Sequence, residues 1–258
     1  MAGRILYNNL LRSSTVISSQ ADAGYPAANS LDGRTTTKTG GGAGTFEIRY
    51  DFGAAAAFDT LCIARHNFSS LASTTVELLG SSDNATYTTL TSGANAITSD
   101  KNIFIDLGAQ SYRYVMLRIE SPSGLATFAD VAVGPKLALE RSQRHGFLKP
   151  GMADGDKIIS NITRGRELAG LTIQRGNARV QFDLFYYSTA WLSEWVSFVD
   201  TLKAYPVYIL WDETRNEVPF NGEPPFYCWP SSGMPQPTYS KNINGYYDIR
   251  LDMTGFYS

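Results

Sequence analysis

The chain has 258 residues, which is long enough for one large domain or two modest ones. Its 22 lysines and arginines nearly balance 24 acidic residues, which argues against a dedicated nucleic-acid binder, because such a protein needs a basic face to displace counterions. No segment approaches the roughly 20 apolar residues of a membrane helix, and residues 1–14 lack the apolar core of a signal peptide. We therefore expect a soluble protein made in a cytoplasm.

Cysteines and histidines are too few to suggest a disulfide framework or a zinc site. Cys62 and Cys228 lie far apart in the sequence, so a disulfide between them is not expected. The two histidines, His66 and His145, show no ligand spacing with the cysteines, which disfavours zinc.

Short alternating segments dominate the first half of the chain. Apolar and polar residues alternate with the period of a half-buried strand, and turn signals separate the segments. The expected elements are a strand at 13–19, a turn at 25–33, a loop at 35–44, and strands at 45–52, 58–64, 75–79, 87–90, 103–107, 112–120 and 127–133. Many short strands at a spacing of roughly 8–12 residues indicate a β-sandwich.

Residues 45–68 carry the strongest of these signals. Phe46, Ile48 and Tyr50 alternate with charged residues, whereas residues 61–64 form an unbroken apolar run. Such a run is typical of a strand that is covered on both faces. Because four alanines separate the two segments, the pattern predicts two strands joined by a short alanine-rich loop.

The second half changes character near Gly134. Residues 168–187 predict a hairpin around a turn at 175–177. The following segment has apolar residues at helical spacing, and Pro206 ends this predicted helix. The apolar residues of the helix are Trp191, Leu192, Trp195, Val196, Phe198, Val199 and Leu202.

The remaining residues predict a buried strand, a long loop and a final strand. The strand lies at 207–211 and the closing alternating strand at 246–253, and the proline-rich segment at 217–236 between them is expected to be a long ordered loop or a pair of edge strands. Together the segments predict a mainly β protein. We expect an N-terminal antiparallel β-sandwich of the jelly-roll type at 1–138, and a C-terminal α+β domain at 139–258 with one main helix on an antiparallel sheet.

The first half resembles the galactose-binding-like sandwich of discoidin, or F5/8 type C, modules. Six segments follow the order of the family's motifs, from an N-x-x-D-G-x-x-T loop to a closing I-x-E-I-x-V-G strand. They are ANSLDG at 28–33, IRYDFG at 48–53, FDTLCIARHN at 58–67, VELLGSSDNATY at 76–87, YRYVMLRI at 112–119 and FADVAVG at 128–134. The resemblance implies a sugar or lipid site on loops at the strand ends.

The second half is similar, more loosely, to distal-tail or minor tail proteins in the baseplate of long-tailed bacteriophages. The likeness rests on the hairpin, the helical segment and the last two strands. It implies a virion structural protein that forms a homo-oligomeric ring, a hexamer or alternatively a trimer, beside tail tube, hub and baseplate proteins. In this reading the sandwich stabilises the baseplate or touches host-surface glycans, and the protein binds no nucleic acid and enters no membrane.

Residues 65–67 are the candidate glycan site. Arg65, His66 and Asn67 follow a buried strand, and the resemblance places ligands on such loops. A sugar needs polar groups that pair with its hydroxyls and an aromatic face for its ring. The alternative interpretation is that these residues leave the core and meet water, because polar residues are common at strand ends.

Asn29 and Asp32 are the candidate calcium ligands that the resemblance implies. Calcium takes about six to eight oxygens. This loop offers one carboxylate and one amide in close range. The resemblance therefore leaves a bound Ca²⁺ as an option beside the absence of any cofactor.

Phe226, Tyr227 and Trp229 are the candidate assembly contacts. They lie in the segment PFYCWP at 225–230, and a rigid, proline-flanked loop loses little entropy on docking. The alternative interpretation is that these rings cover the local core.

No catalytic motif stands out in the sequence. With two histidines and no G-x-S-x-G elbow, a Ser-His-Asp hydrolase is not indicated. None of the 24 acidic residues is singled out as half of a glycosidase pair. We therefore expect a tail protein that is not an enzyme, with a stand-alone carbohydrate-binding lectin as the first alternative and a glycan hydrolase as the second.

Overall fold

The computed structural model describes residues 3–91, 95–140, 157–162, 168–174, 178–210, 225–231, 233, 237–239 and 245–256. His145, the expected turn at 175–177 and most of the expected proline-rich loop lie outside these residues. Within the described part of the chain, no helix is long and apolar enough to cross a bilayer.

Strands make up most of the described residues. In chain order they are β1 (Arg4–Leu6), β2 (Thr15–Ser19), β3 (Thr39–Gly41), β4 (Gly44–Ala64), β5 (Thr75–Ser81), β6 (Thr88–Thr89), β7 (Asn95–Ala96), β8 (Ile103–Ser121), β9 (Ala126–Phe128), β10 (Asp130–Gly134), β11 (Leu137–Ala138), β12 (Lys157–Ile162), β13 (Leu168–Gln174), β14 (Ala178–Ser188), β15 (Val207–Leu210), β16 (Phe226–Pro230), β17 (Thr238–Tyr239) and β18 (Tyr246–Phe256). The α-helix is α1 (Trp191–Leu202), and short 3-10 helices lie at Leu10–Ser13, Ala27–Leu31 and Phe68–Ser70.

Two seven-stranded antiparallel sheets organise the molecule. The first has the order β10-β4-β8-β5-β6, with β2 beside β4 and β7 beside β5. The second has the order β11-β1-β15-β16-β18-β14, with β17 beside β18. Two smaller ladders pair β3 with β9 and β12 with β13. The sheets form an N-terminal sandwich and a C-terminal sheet with one helix, which confirms the predicted fold class.

β4 and β8 are long strands that run through both layers of the sandwich. The alanine-rich segment predicted as a loop is instead part of β4, and the pairing with β8 shifts register between Asp51 and Ala56. Gly53 (φ 79°) and Gly108 (φ 66°) adopt left-handed conformations near this shift. The expectation of separate strands is wrong here, because small, mostly exposed alanines let the strand bend while its backbone pairing resumes.

The two halves of β4 face each other across one core. Ile48 and Tyr50 from the first half and Leu61 and Ile63 from the second half belong to the same cluster, and each side chain is fully buried. The alternation seen in the sequence therefore correctly identifies the inner face of the first half.

The helix α1 covers one face of the second sheet. Trp191, Trp195, Phe198 and Leu202 are buried there, as the helical spacing predicts. Their cluster also contains Val207 and other residues of the sheet.

The opposite face of the second sheet packs on the sandwich. A separate buried cluster joins the two sheets, with Cys62, Ala64, Phe104 and Ala132 from the sandwich and Leu6, Tyr208, Leu210 and Tyr227 from the second sheet. The second half of β4 is thus covered on both faces, which explains its unbroken apolar run.

A buried carboxylate lies at this contact between the sheets. The side chain of Asp130 is fully buried, and its Oδ2 accepts a hydrogen bond from the Tyr208 hydroxyl at 2.8 Å. Nη2 of Arg12 lies 3.2 Å from the other oxygen, Oδ1. Burial raises the pKa of Asp130, although Arg12 and Tyr208 act in the opposite direction.

Two short strands from the first 138 residues belong to the second sheet. β1 lies between β11 and β15, with Arg4 opposite Ala138 on one side and Ile5 opposite Ile209 on the other. The division at 138/139 stays a prediction, and the pairing shows that residues on both sides of it share one sheet.

Candidate functional site

Arg65 is the first residue after β4 and lies on the surface of the sandwich. Its backbone adopts a left-handed conformation (φ 57°), which is uncommon for a residue other than glycine. Its N–H donates to Oδ1 of Asn102 at 3.4 Å. The side chain is exposed, and its guanidinium carbon lies 4.6 Å over the ring of Phe256 from the second sheet.

His66 is a buried structural residue. Nε2 lies 2.7 Å from the Lys101 carbonyl, and Nδ1 accepts from the Phe68 N–H at 3.4 Å. These partners require a neutral ring with its proton on Nε2. Burial is the main cause that lowers the pKa of His66 from 6.5 to about 4. Within this chain the imidazole therefore holds the loop together and presents no edge to a ligand.

Asn67 closes the same loop against a neighbouring segment. Its Nδ2 donates to the Leu125 carbonyl at 3.1 Å, and its Oδ1 accepts from the Thr127 N–H at 2.8 Å. The side-chain amide thus donates to and accepts from the backbone of the neighbouring segment, as a paired strand residue does. Of the three candidate glycan residues, only Arg65 directs its side chain to the surface.

Asn29 and Asp32 shape the loop that precedes β3. Asp32 accepts from the Arg34 N–H and from the Thr37 hydroxyl, both at 2.7 Å, one on each carboxylate oxygen. Asn29 donates to the Lys38 carbonyl at 2.8 Å. No group of three or more His, Cys, Asp or Glu residues in the described part of the chain is placed to hold a metal ion.

A calcium ion at this loop stays a prediction. Calcium needs about six to eight oxygens, whereas the one carboxylate here already accepts hydrogen bonds on both oxygens. The interactions of Asn29 and Asp32 are those of residues that fix a turn.

Two of the three candidate assembly residues are buried. Phe226 and Tyr227 are both 0% exposed, so the expectation of exposed rings is wrong for them. They lie in β16, where Phe226 packs under α1 and Tyr227 packs against the sandwich. Trp229 is half-buried, and its ring meets the Phe256 ring edge-on at 6.1 Å.

The structure therefore brings one candidate glycan residue close to one candidate assembly residue. Arg65 and Trp229 both contact the ring of Phe256, and we call these three residues the junction cluster. It combines a guanidinium with two half-buried aromatic rings, a composition that suits a sugar with hydroxyls and an apolar ring face.

Asn102 fixes the geometry of the junction cluster and was missed by the sequence reasoning. Besides accepting from Arg65, its Nδ2 donates to the carbonyls of Pro225 at 3.1 Å and Phe256 at 2.9 Å. The residue is buried at the contact between the sandwich and the second sheet. Its partners lie 37 positions away at Arg65, 123 at Pro225 and 154 at Phe256, so no local pattern indicates them.

Lys38 adds a second cation to this end of the sandwich. Burial is the main cause that lowers its pKa, the positive charge of Arg65 lowers it further, and the negative charge of Asp100 opposes both. The Asp100 carboxylate accepts from the Ser69 N–H at 2.8 Å. The surface near Arg65 is therefore charged and ordered by hydrogen bonds.

Three solved structures illustrate the likeness of this chain to known proteins. A Ruminococcus gnavus GH29 fucosidase in complex with fucose is 19% identical, with 52% of this chain and 28% of that chain covered and a TM-score of 0.42. CpGH89CBM32-5 from Clostridium perfringens, in complex with GalNAc-β-1,3-galactose, is 17% identical, with 49% and 99% covered and a TM-score of 0.40. Chitosan-binding module 1 of a Paenibacillus chitosanase/glucanase is 21% identical, with 49% and 98% covered and a TM-score of 0.38.

A family model gives the more direct assignment. No match was found among curated proteins. The model of the F5/8 type C domain matches residues 13–132, which include Arg65, Asn102 and the strands of the sandwich from β2 to the first residues of β10. Residues 133–258 lie outside this match. The match therefore agrees with the resemblance that the sequence motifs of the first half predicted.

Proposed function

We propose that this protein binds carbohydrate through the surface at Arg65 and does not catalyse its turnover. The observation that carries the proposal is the junction cluster, in which the exposed Arg65 guanidinium lies beside the half-buried rings of Phe256 and Trp229. The F5/8 type C match supports the same proposal, because the cluster includes the end of a strand of that domain.

The chemistry of the cluster matches the needs of a sugar. Guanidinium N–H groups donate to hydroxyl oxygens, and they cannot lose their charge in a protein. An aromatic ring offers a flat apolar face with little conformational entropy to lose. The left-handed backbone of Arg65 is held by Asn102, so the donor is already in place before a ligand arrives.

A glycan array followed by calorimetry tests this proposal. The wild-type chain should bind at least one glycan, and Arg65→Gln should weaken that binding by about tenfold, which corresponds to the loss of one charge-assisted contact. Arg113→Gln is the matched control, because Arg113 pairs with Asp51 on the outer side of the sandwich. Binding that survives Arg65→Gln unchanged would exclude this surface, and product release from a bound glycan would exclude a purely binding role.

A structural role in a phage tail tip is the second candidate. It rests on the resemblance of the second half to tail proteins, and Val196, which is 60% exposed in the middle of α1, offers a surface position at which to test it. In this role the protein is a virion component that assembles as a ring with neighbouring tail proteins. Mass measurement of the purified chain, alone and with such proteins, tests the structural role. We expect ring-sized assemblies that the Val196→Asp substitution disrupts. A strict monomer in every mixture would exclude the structural role.

A further inference from the structure

The junction cluster is built by two different sheets. Arg65 follows β4 of the sandwich, whereas Trp229 and Phe256 belong to β16 and β18 of the second sheet. Asn102 ties the two sides together, because one side chain bonds the backbone of Arg65 and the backbone of Phe256. The relative position of guanidinium and rings therefore depends on the docking of the second sheet.

Each ring in the cluster has a different role. Phe256 already has the Arg65 guanidinium over its face, so it holds that side chain in position. Trp229 meets Phe256 edge-on and is half-buried, so part of its indole remains available at the surface. The two distances place the Arg65 guanidinium and the Trp229 ring within the span of a disaccharide.

The segments that contain Lys38 and Asn102, two residues that interact with Arg65, carry an excess of positive charge. The charged residues of 32–38 and 100–102, together with Arg65, are Arg34, Lys38, Arg65, Lys101, Asp32 and Asp100. Cations outnumber carboxylates in this set, although the whole chain has a net charge of −2. Arg65 and Lys38 also lie close enough to repel each other, as the effect of Arg65 on the Lys38 pKa indicates. A negatively charged ligand would relieve this repulsion.

We propose that the junction cluster binds a glycan that carries a carboxylate, such as an oligouronate, with Trp229 as the stacking face and Arg65 as the donor to the carboxylate. The inference rests on the proposed carbohydrate binding, and it adds the ligand class and the contribution of the second sheet.

The geometry of a stacked guanidinium explains how both contacts form together. The N–H donors of a guanidinium lie in one plane, so its carbon can contact a ring while its planar fork binds a carboxylate. A carboxylate accepts two such donors in parallel, and its negative charge makes this pairing stronger than the hydrogen bonds that the hydroxyls of a neutral sugar accept. The apolar face of the neighbouring pyranose ring then packs on the indole of Trp229.

Calorimetry of the full chain with oligogalacturonate and with its methyl ester tests the ligand class, because esterification removes the charge and keeps the sugar backbone. We expect the acid to bind about tenfold more tightly than the ester, and this preference should shrink at high salt. Arg65→Gln should remove the preference for the acid.

Two variants test the contribution of the second sheet. Trp229→Leu keeps an apolar contact with Phe256 and removes the stacking face, so it should weaken binding of both ligands by about tenfold. Tyr239→Leu is the matched control, because Tyr239 is an exposed aromatic residue elsewhere on the same sheet and is 65% exposed. It should bind as the wild type does.

Footprinting of the wild-type chain makes the test independent of variant folding. Saturating oligogalacturonate should protect Trp229 from hydroxyl-radical oxidation several-fold and leave Tyr239 unchanged.

The outcomes separate this inference from the function on which it rests. Equal affinity for acid and ester would overturn the ligand class, and unprotected Trp229 together with normal binding by Trp229→Leu would overturn the role of the second sheet. In both cases carbohydrate binding through Arg65 could still stand. A wild-type chain that binds no glycan in a panel of neutral and acidic oligosaccharides would overturn both proposals.

Discussion

Replacement of His66 by glutamine should remove a large part of the acid sensitivity of this protein. The folded chain holds the imidazole neutral, because its side chain is fully buried and both ring nitrogens have backbone partners. Burial lowers the pKa of His66 from 6.5 to about 4. Above pH 6.5 the ring is neutral in both the folded and the unfolded chain, so its full contribution to stability is present.

The magnitude follows from the difference between the two pKa values. As the pH falls below 6.5 the unfolded chain binds a proton at this site and the folded chain does not, so stability is lost until the folded ring also protonates near pH 4. At about 1.4 kcal/mol for each pH unit, the loss across this window amounts to about 3 kcal/mol.

Urea denaturation at pH 7 and at pH 4 measures this loss. The free energy of unfolding of His66→Gln should lie below that of the wild type at pH 7, and the gap should close by about 3 kcal/mol at pH 4. Asn67→Ala is the matched control, because it removes two hydrogen bonds of the same loop and no titrating group, so its deficit should be equal at both pH values. Parallel pH dependence in His66→Gln and the wild type would refute the reasoning.

Three further substitutions test the packing of the second sheet. Gly255→Ala should destabilise the fold severely, because a Cβ there would lie 2.1 Å from the Tyr227 carbonyl oxygen, whereas Gly24→Ala meets nothing within 4 Å and should change the midpoint of thermal unfolding little. Phe198→Ala should lower the free energy of unfolding by about 3–5 kcal/mol in urea denaturation, because its ring is 0% exposed on the buried face of α1; a smaller loss would contradict the buried position. Tyr208→Phe should cost about 1–3 kcal/mol at pH 7, because it removes the donor to Asp130. The neutral form of Asp130 stabilises the fold below its ordinary pKa of 3.8, and this stability is lost as the pH rises through its raised folded pKa. The loss of unfolding free energy in Tyr208→Phe should therefore be smaller at pH 4 than at pH 7. An equal loss at both pH values would argue against a charged Asp130.

Much of the fold could be predicted from the sequence, because its signals are local. Phe46, Ile48 and Tyr50 alternate along one strand and do face one core. Trp191 and Trp195 lie at helical spacing and do bury one face of α1. Hydrophobic periodicity depends only on neighbouring residues, so it can be recognised in the sequence without knowledge of the tertiary fold.

The candidate site is harder to predict from the sequence, because its contacts join residues that lie far apart in the chain. His66 has the same polar character as a surface residue, and only the Lys101 carbonyl, 35 positions away, makes it a buried structural group. Phe226 and Tyr227 lie beside prolines, yet both are buried because the helix covers one face of the second sheet and the sandwich covers the other. The bend in β4 was missed for a related reason, because alanine tolerates both loop and strand.

The position of β1 imposes an order on folding. Its partner β15 lies about two hundred positions later, with Ile5 opposite Ile209, so during synthesis the first strand has no neighbour on that side until residues 207–210 have emerged. The other neighbour, β11, becomes available only after the whole F5/8 type C segment has been made. The segment between β1 and β11 thus begins and ends at adjacent strands. It also covers one face of the second sheet, so a replacement for it would have to pack on Leu6, Tyr208 and Tyr227. Strand pairings between residues so far apart in the sequence form slowly, so we expect assembly of the second sheet to be the rate-limiting step of folding.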